Sequence, residues 1–421
     1  MLGLFIASAG WLSVVAAHAG GSEDIAEFRR GIGISHAMAW ARIESGPAGA
    51  FAFPPFADPA NALRVHELQT VRRSGFDFVR LAVDPGPFLQ FQGAQRDALD
   101  NILLDRVKLI LAARLAVIVD FHPSDLQPKF TAAALTAGLD TPLYRAYLRM
   151  LERTAGLLGQ LHSRKVALEL MNEPPVSAKA WQPMLEAAFA AARRGSSDLV
   201  LVLDGGEQAS AAALMAMRTA PFTQDHATLF SFHYYDPYQF THQGASWNAP
   251  RYLADVPYPA RARPIEDSLD ASLAKITVEG LPEATKSSAY RDAQSRLESY
   301  WRSGFDAAAI AQSFAQITDW ARSQGVERDR IILGEFGARK TELQLFGVRA
   351  DERSQWFRDV RKQAEAFGFG WAAWTYRGGS FGLVANEAAD DIEPGIAEAL
   401  GLAQRPRADA TSAGVTSRMK P

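Results

Sequence analysis

From position 31 to about 402, short apolar runs alternate with longer stretches whose apolar residues recur at helical spacing. The runs at 31–35, 76–83, 115–121, 166–171, 199–203, 229–234, 331–334 and 370–374 read as strands. The stretches 63–73, 102–114, 143–162, 181–193, 310–323 and 354–367 read as helices, and 389–400 predicts a last short one. Eight strand-then-helix units in one chain, without an antiparallel hairpin signal, predict an α/β fold: a closed (β/α)8 TIM barrel forming a single domain.

One connection breaks the rhythm. Residues 236–303 lack a strand-like run, are rich in Pro, Tyr and Trp, and exceed a usual βα loop. Long loops in compact domains tend to be functional. Following the sixth strand, this one is expected to extend over the active-site face. The two ends of the chain read differently. An apolar run from Leu2 to Ala17 precedes Ala17-His18-Ala19, which reads as a secretory signal peptide over 1–19, despite the lack of a Lys or Arg before it. Residues 403–421 are polar and expected to form a flexible tail. The catalytic barrel is then 20–402, a length that one barrel with insertions accommodates.

Composition narrows the function classes. A net charge of −3 with no basic block disfavours nucleic acid and anionic membranes as partners. The absence of cysteine excludes disulfides, thiolate metal sites and a cysteine nucleophile. A secreted or periplasmic bacterial protein, working as a monomer without cofactor or metal, is the expectation. Nine tryptophans provide flat apolar faces for sugar rings.

In a TIM barrel the working residues lie at the C-terminal ends of the strands. The second run contains Arg80, and the third ends at His122. The fourth leads into Asn172 and Glu173, the sixth into His233 and Tyr235, the seventh into Glu335 and the eighth into Trp374. Glu173 and Glu335, facing each other across a barrel mouth, suit hydrolysis of a glycosidic bond. Retention needs two carboxyls about 5–5.5 Å apart, one as nucleophile and the other as acid and then base. One must carry a proton near neutral pH while the other is ionised. Arg80 is the candidate to hold Glu335 ionised, because a nearby cation favours the charged carboxylate. Asn172 is placed to donate to a sugar 2-hydroxyl, and Trp374 to stack on a pyranose ring.

Met171-Asn172-Glu173-Pro174 after an apolar run, and Gly334-Glu335-Phe336-Gly337 about 160 residues on, resemble glycoside hydrolase family 5, the large cellulase and mannanase family. Arg80, His122, His233, Tyr235 and Trp374 fall in that family's order, and the resemblance spans essentially the whole mature chain. It implies a retaining mechanism with Glu173 as acid/base, Glu335 as nucleophile and Tyr235 hydrogen-bonded to that nucleophile. It also implies that Arg80, His122, Asn172, His233 and Trp374 line the subsite of the attacked sugar. The stretch from His233 to Trp247 is similar to one in bacterial endoglucanase-like members, which favours a β-glucan over a mannan. The reading is therefore a polysaccharide or oligosaccharide hydrolase, with transglycosylation on the same barrel, a β-mannanase or a non-catalytic carbohydrate-binding barrel as alternatives.

Other residues have plainer readings. Asp120 and Glu169 share inward parity with His122 and Glu173 and are expected one layer below them, as structural partners. His36 at the end of the first run and Trp247 in the long loop are candidate substrate contacts, as is His242. Glu207 is a third mouth carboxylate without a role, and Arg339, Lys340 and Arg377 read as solvated surface charge. Ser35-His36-Ala37 offers only one histidine where a metal-dependent barrel hydrolase would use a pair. No strand carries a lysine near its C-terminal end for Schiff-base chemistry.

Overall fold

The computed structural model describes residues 27–45, 49–340, 348–386 and 390–402. Eight parallel strands close into a barrel in sequence order: β1 (Arg30–Met38), β2 (Phe78–Val83), β3 (Ala116–Phe121), β4 (Val166–Glu169), β5 (Val200–Asp204), β6 (Thr228–Tyr234), β7 (Ile331–Phe336) and β8 (Gly370–Ala373). β8 pairs back onto β1, with Gly31 opposite Ala372. The strands read as continuous apolar runs because each is buried on both faces.

Alternation along the strands divides the core in two. Phe78, Ala116, Ile118, Ala167, Val200, Val202, Leu229, Ile332 and Ala372 fill the barrel interior. The intervening residues, such as Ile32, Ile34, Val79, Leu81, Val117 and Leu168, pack outward against the helices. The helices carry local start signals. Pro142–Gly159 begins with proline in its first turn, and the Thr141 side chain accepts a hydrogen bond from Tyr144 N–H. Among the described residues, no helix is long and apolar enough to cross a membrane. The leader 1–19 and the tail 403–421 lie outside the described residues, and the last helix is observed at Pro394–Ala399.

The segment 236–303 is mostly helical rather than an extended loop. Helices Ile265–Val278 and Glu283–Ser303 pack against each other. The segment is fastened to helix Ala350–Phe367 on the outer ring. Tyr258 OH donates to Asp359 Oδ2 at 3.0 Å, Arg263 Nε donates to Glu352 Oε1 at 3.0 Å, and Trp356 Nε1 donates to the Asp236 carbonyl at 3.0 Å. Its first part reaches the cleft, where Asp236, Tyr238, His242 and Trp247 form part of the wall.

Candidate active site

The inward positions change character toward the C-terminal ends of the strands. Above Phe78, Ile118, Ala167, Val202 and Leu229 come Arg80, Asp120, Glu169, Asp204 and Ser231, all buried. Arg80 is the hub. Its Nε donates to Glu169 Oε2 at 2.7 Å, and a terminal nitrogen donates to Asn172 Oδ1 at 2.7 Å and lies 3.1 Å from Asp120 Oδ2. Its other terminal nitrogen donates to Glu335 Oε1. The guanidinium has no exposed surface, so each carboxylate it touches depends on it for charge balance. Arg80→Met is expected to destabilise the fold by roughly 3–5 kcal/mol, because it strands buried anions. A denaturant midpoint unchanged from wild type would contradict this.

Glu335 reaches the mouth through an irregularity in β7. Ile332 faces inward and strict alternation would turn residue 335 outward, but the register against β8 shifts between Leu333 and Phe336. Such bulges re-aim side chains next to active sites. Gly334 is needed beside it, since a Cβ there would lie 2.5 Å from Ser231 Oγ and 3.0 Å from His233 Nε2. Tyr235 OH donates to Glu335 Oε2 at 2.7 Å. Burial alone would raise the Glu335 pKa, but His233 and Arg80 outweigh it and hold the carboxyl at about 2.

Glu173 lies just past β4 in a left-handed backbone conformation, φ 47°. His233 Nδ1 donates to its Oε1 at 2.8 Å and lies 3.7 Å from Glu335 Oε2. A carboxylate oxygen of Glu173 and one of Glu335 lie within 4.8 Å of each other, the scale of a retaining pair. Burial disfavours a charged His233, yet the carboxylates of Glu335 and Glu173 raise its pKa to about 9. A second left-handed stretch, Glu207 to Ala209, follows β5. There Glu207 N–H donates to the Val176 carbonyl at 2.8 Å and Gln208 N–H to the Pro174 carbonyl at 3.3 Å, tying this turn to the Glu173 loop.

His122 and Trp374 stack in parallel, with centroids 5.3 Å apart and planes 1° from parallel. Gly33 seats the indole, for a Cβ there would lie 2.6 Å from the ring. Burial opposes charge on His122, but Asp120, 2.8 Å from its Nδ1, raises its pKa above the ordinary value. Asn172 Nδ2 lies 3.4 Å from His122 Nε2. The cleft above holds about 880 Å³. Trp247 and Trp40 stand on its wall with 62% and 56% of their surface exposed.

Some expectations change. His36 is buried and points away from the cleft toward helix Val65–Ser74. It shares the outward parity of Ile32 and Ile34, and its Nε2 lies 3.7 Å from Glu67 Oε2 on helix Val65–Ser74. Arg377 is not solvated; it is buried against Glu67 and Asp390. Arg339 lies over the Trp247 ring, 5.2 Å from its centroid, and donates to Ser380 Oγ at 2.8 Å. His242 keeps its place on the cleft wall, stacked on Tyr238, and burial pushes its pKa down to about 3. Asp204, Trp40, Tyr238 and Gln208 were not anticipated. For Asp204 the signal was present, as the inward partner of Val200 and Val202.

Known proteins share this architecture. A family model described as Cellulase (glycosyl hydrolase family 5) matches residues 65–380. Endoglucanase 3 of Fibrobacter succinogenes is 24% identical over 362 residues, covering 80% of this chain and 49% of that protein. The chain spans about half the length of the curated relatives it matches. A hyperthermophilic endo-β-1,4-glucanase, solved with substrate, superposes with a TM-score of 0.64 at 20% identity, covering 90% of this chain and 98% of that chain. The cellulose synthase subunit Z of Clostridioides difficile superposes with a TM-score of 0.62 at 19% identity, covering 89% and 99%. Those two structures carry the fold, and the family model spans the barrel from helix Val65–Ser74 to just past β8. The chain belongs to the cellulase family, glycosyl hydrolase family 5.

Proposed function

We propose that the chain is a retaining β-glycoside hydrolase acting on a β-glucan, with Glu335 as nucleophile and Glu173 as acid and then base. The observation that carries this is the unequal treatment of two neighbouring carboxyls. Glu335 accepts from Arg80 and Tyr235 and is held ionised, whereas Glu173 is touched by a single imidazole and opens onto the cleft. In the first step Glu335 attacks the anomeric carbon while Glu173 gives its proton to the departing oxygen. In the second, Glu173 takes a proton from water as that water displaces Glu335 from the sugar. Asn172, its oxygen occupied by Arg80, has amide hydrogens left for the sugar 2-hydroxyl, and Trp374 offers the ring a flat face.

An open cleft with exposed Trp40 and Trp247 supports a polymer as substrate, and the names of the glucanase relatives support a β-glucan. The apolar leader and its Ala17-His18-Ala19 site support action outside the cytoplasm. The test is turnover of soluble β-glucans and β-mannans by the purified chain, with product lengths followed over time. Short glucan products are expected. Preference for mannan would overturn the substrate, products longer than the starting oligosaccharide would show transglycosylation, and a folded chain that turns over nothing would overturn the activity.

A further inference from the structure

Asp204 ends β5 with its side chain wholly buried in the barrel. Its neighbours there are Glu169 from β4, Ser231 and His233 from β6, and, beyond Glu169, Arg80 from β2. Ligand-type atoms of Asp204, Glu169 and His233 all lie within 4.8 Å of one another. Such spacing suits a metal ion, but both oxygens of Glu169 already accept from Arg80. What these groups can share is a proton. Arg80 gives its hydrogen bonds to Glu169, Asn172 and Glu335 and pairs with Asp120. Among the described residues, neither Asp204 oxygen accepts a hydrogen bond, and the basic contact recorded for it is a loose one, 4.0 Å from His233 Nε2. A carboxylate without a close cation is costly to bury, whereas a carboxylic acid beside an ionised carboxylate has a ready acceptor.

We propose that Asp204 is a positioning residue working as a neutral carboxylic acid: its O–H donates to Glu169, which keeps Glu169 ionised as the anchor of Arg80. Arg80 in turn holds Glu335, so the proton on Asp204 sustains the placement of the nucleophile three contacts away. Burial and the neighbouring Glu169 push the Asp204 pKa well above the carboxylate range. Burial also works to raise Glu169, but the charge and hydrogen bonds of Arg80 bring it below its ordinary value. The inference rests on the Arg80–Glu335 contact of the proposed mechanism.

The test compares Asp204→Ala with Asp204→Asn in the full chain on the preferred glucan. Asp204→Ala removes the donor, so Glu169 takes up a proton more readily. Its kcat is expected to fall at least about ten-fold with KM nearly unchanged, and the acid limb of kcat/KM to move to higher pH. Asp204→Asn restores an N–H donor of the same shape and is expected to return kcat to within about three-fold of wild type, with the limb restored. An Asn variant as impaired as the Ala variant would show that Asp204 works ionised, and an Ala variant with unchanged kcat and pH profile would make the residue a filler; either overturns the proposal. Should Asp204→Ala fail to fold, infrared difference spectra decide. A protonated carboxylic-acid band at neutral pH that Asp204→Asn removes supports the proposal, and its absence from wild type overturns it. Wild-type turnover abolished by Glu335→Ala shows independently that the underlying mechanism stands.

Discussion

Glu335→Ala is expected to lower kcat by a factor on the order of 10⁴ or more, because the proposed chemistry loses the atom that bonds to the sugar. The fold should tolerate the change, since Arg80 keeps Glu169, Asp120 and Asn172 as partners. Removing the carboxylate opens space on the face of the sugar opposite the leaving group. A small external nucleophile such as azide is then expected to enter from that face and give an α-glycosyl azide from a β-glycoside. The measurement is steady-state kcat on an activated aryl β-glycoside with and without azide, followed by the anomeric configuration of the product. Residual activity within ten-fold of wild type, or a β-azide, would assign the nucleophile elsewhere.

Glu173→Ala is expected to show a different signature. Loss of general acid–base assistance costs roughly 10²–10⁴ in rate. The loss should depend on the leaving group. A natural glucan needs its departing oxygen protonated, so it should suffer most in kcat/KM. An aryl glycoside with a good leaving group needs little help in the first step, so its glycosyl-enzyme should form and then accumulate. Azide should capture that intermediate as the β-glycosyl azide, the opposite anomer from the Glu335 variant. Equal losses on both substrates would remove Glu173 from the acid role. The two variants together separate the carboxyls by stereochemistry, which rate alone does not.

The barrel was legible in the sequence because its strands are buried on both faces and so appear as unbroken apolar runs. The site was legible where a polar residue interrupts or ends such a run, as at Arg80, His122, Glu173, His233 and Glu335. Parity placed Asp120 and Glu169 beneath the mouth, where they sit. The same parity identifies Asp204 as inward-facing, two residues past Val202, whereas on β1 the register shift after Ile34 hides the direction of His36. The helices of the insertion were hidden for a different reason. Helix Ile265–Val278 buries Ser268, Ser272 and Ile276, and helix Glu283–Ser303 buries Ala289, Ala293, Leu297 and Tyr300. A stripe made mostly of small residues has little apolar contrast for periodicity to register. The bulge in β7 is equally silent, since it depends on pairing with β8.

The charged layer inside the barrel also constrains how this sequence can evolve. Replacing a buried ion network with apolar side chains of matching volume is often neutral or stabilising, whereas deleting one member leaves its partners uncompensated. Arg80, Asp120 and Glu169 are therefore bound by epistasis. In a lineage released from selection for turnover, any first loss among them passes through a less stable intermediate, although a joint replacement would be tolerated. The layer can outlast the activity it serves, and a descendant that had stopped cutting sugar would still carry its imprint.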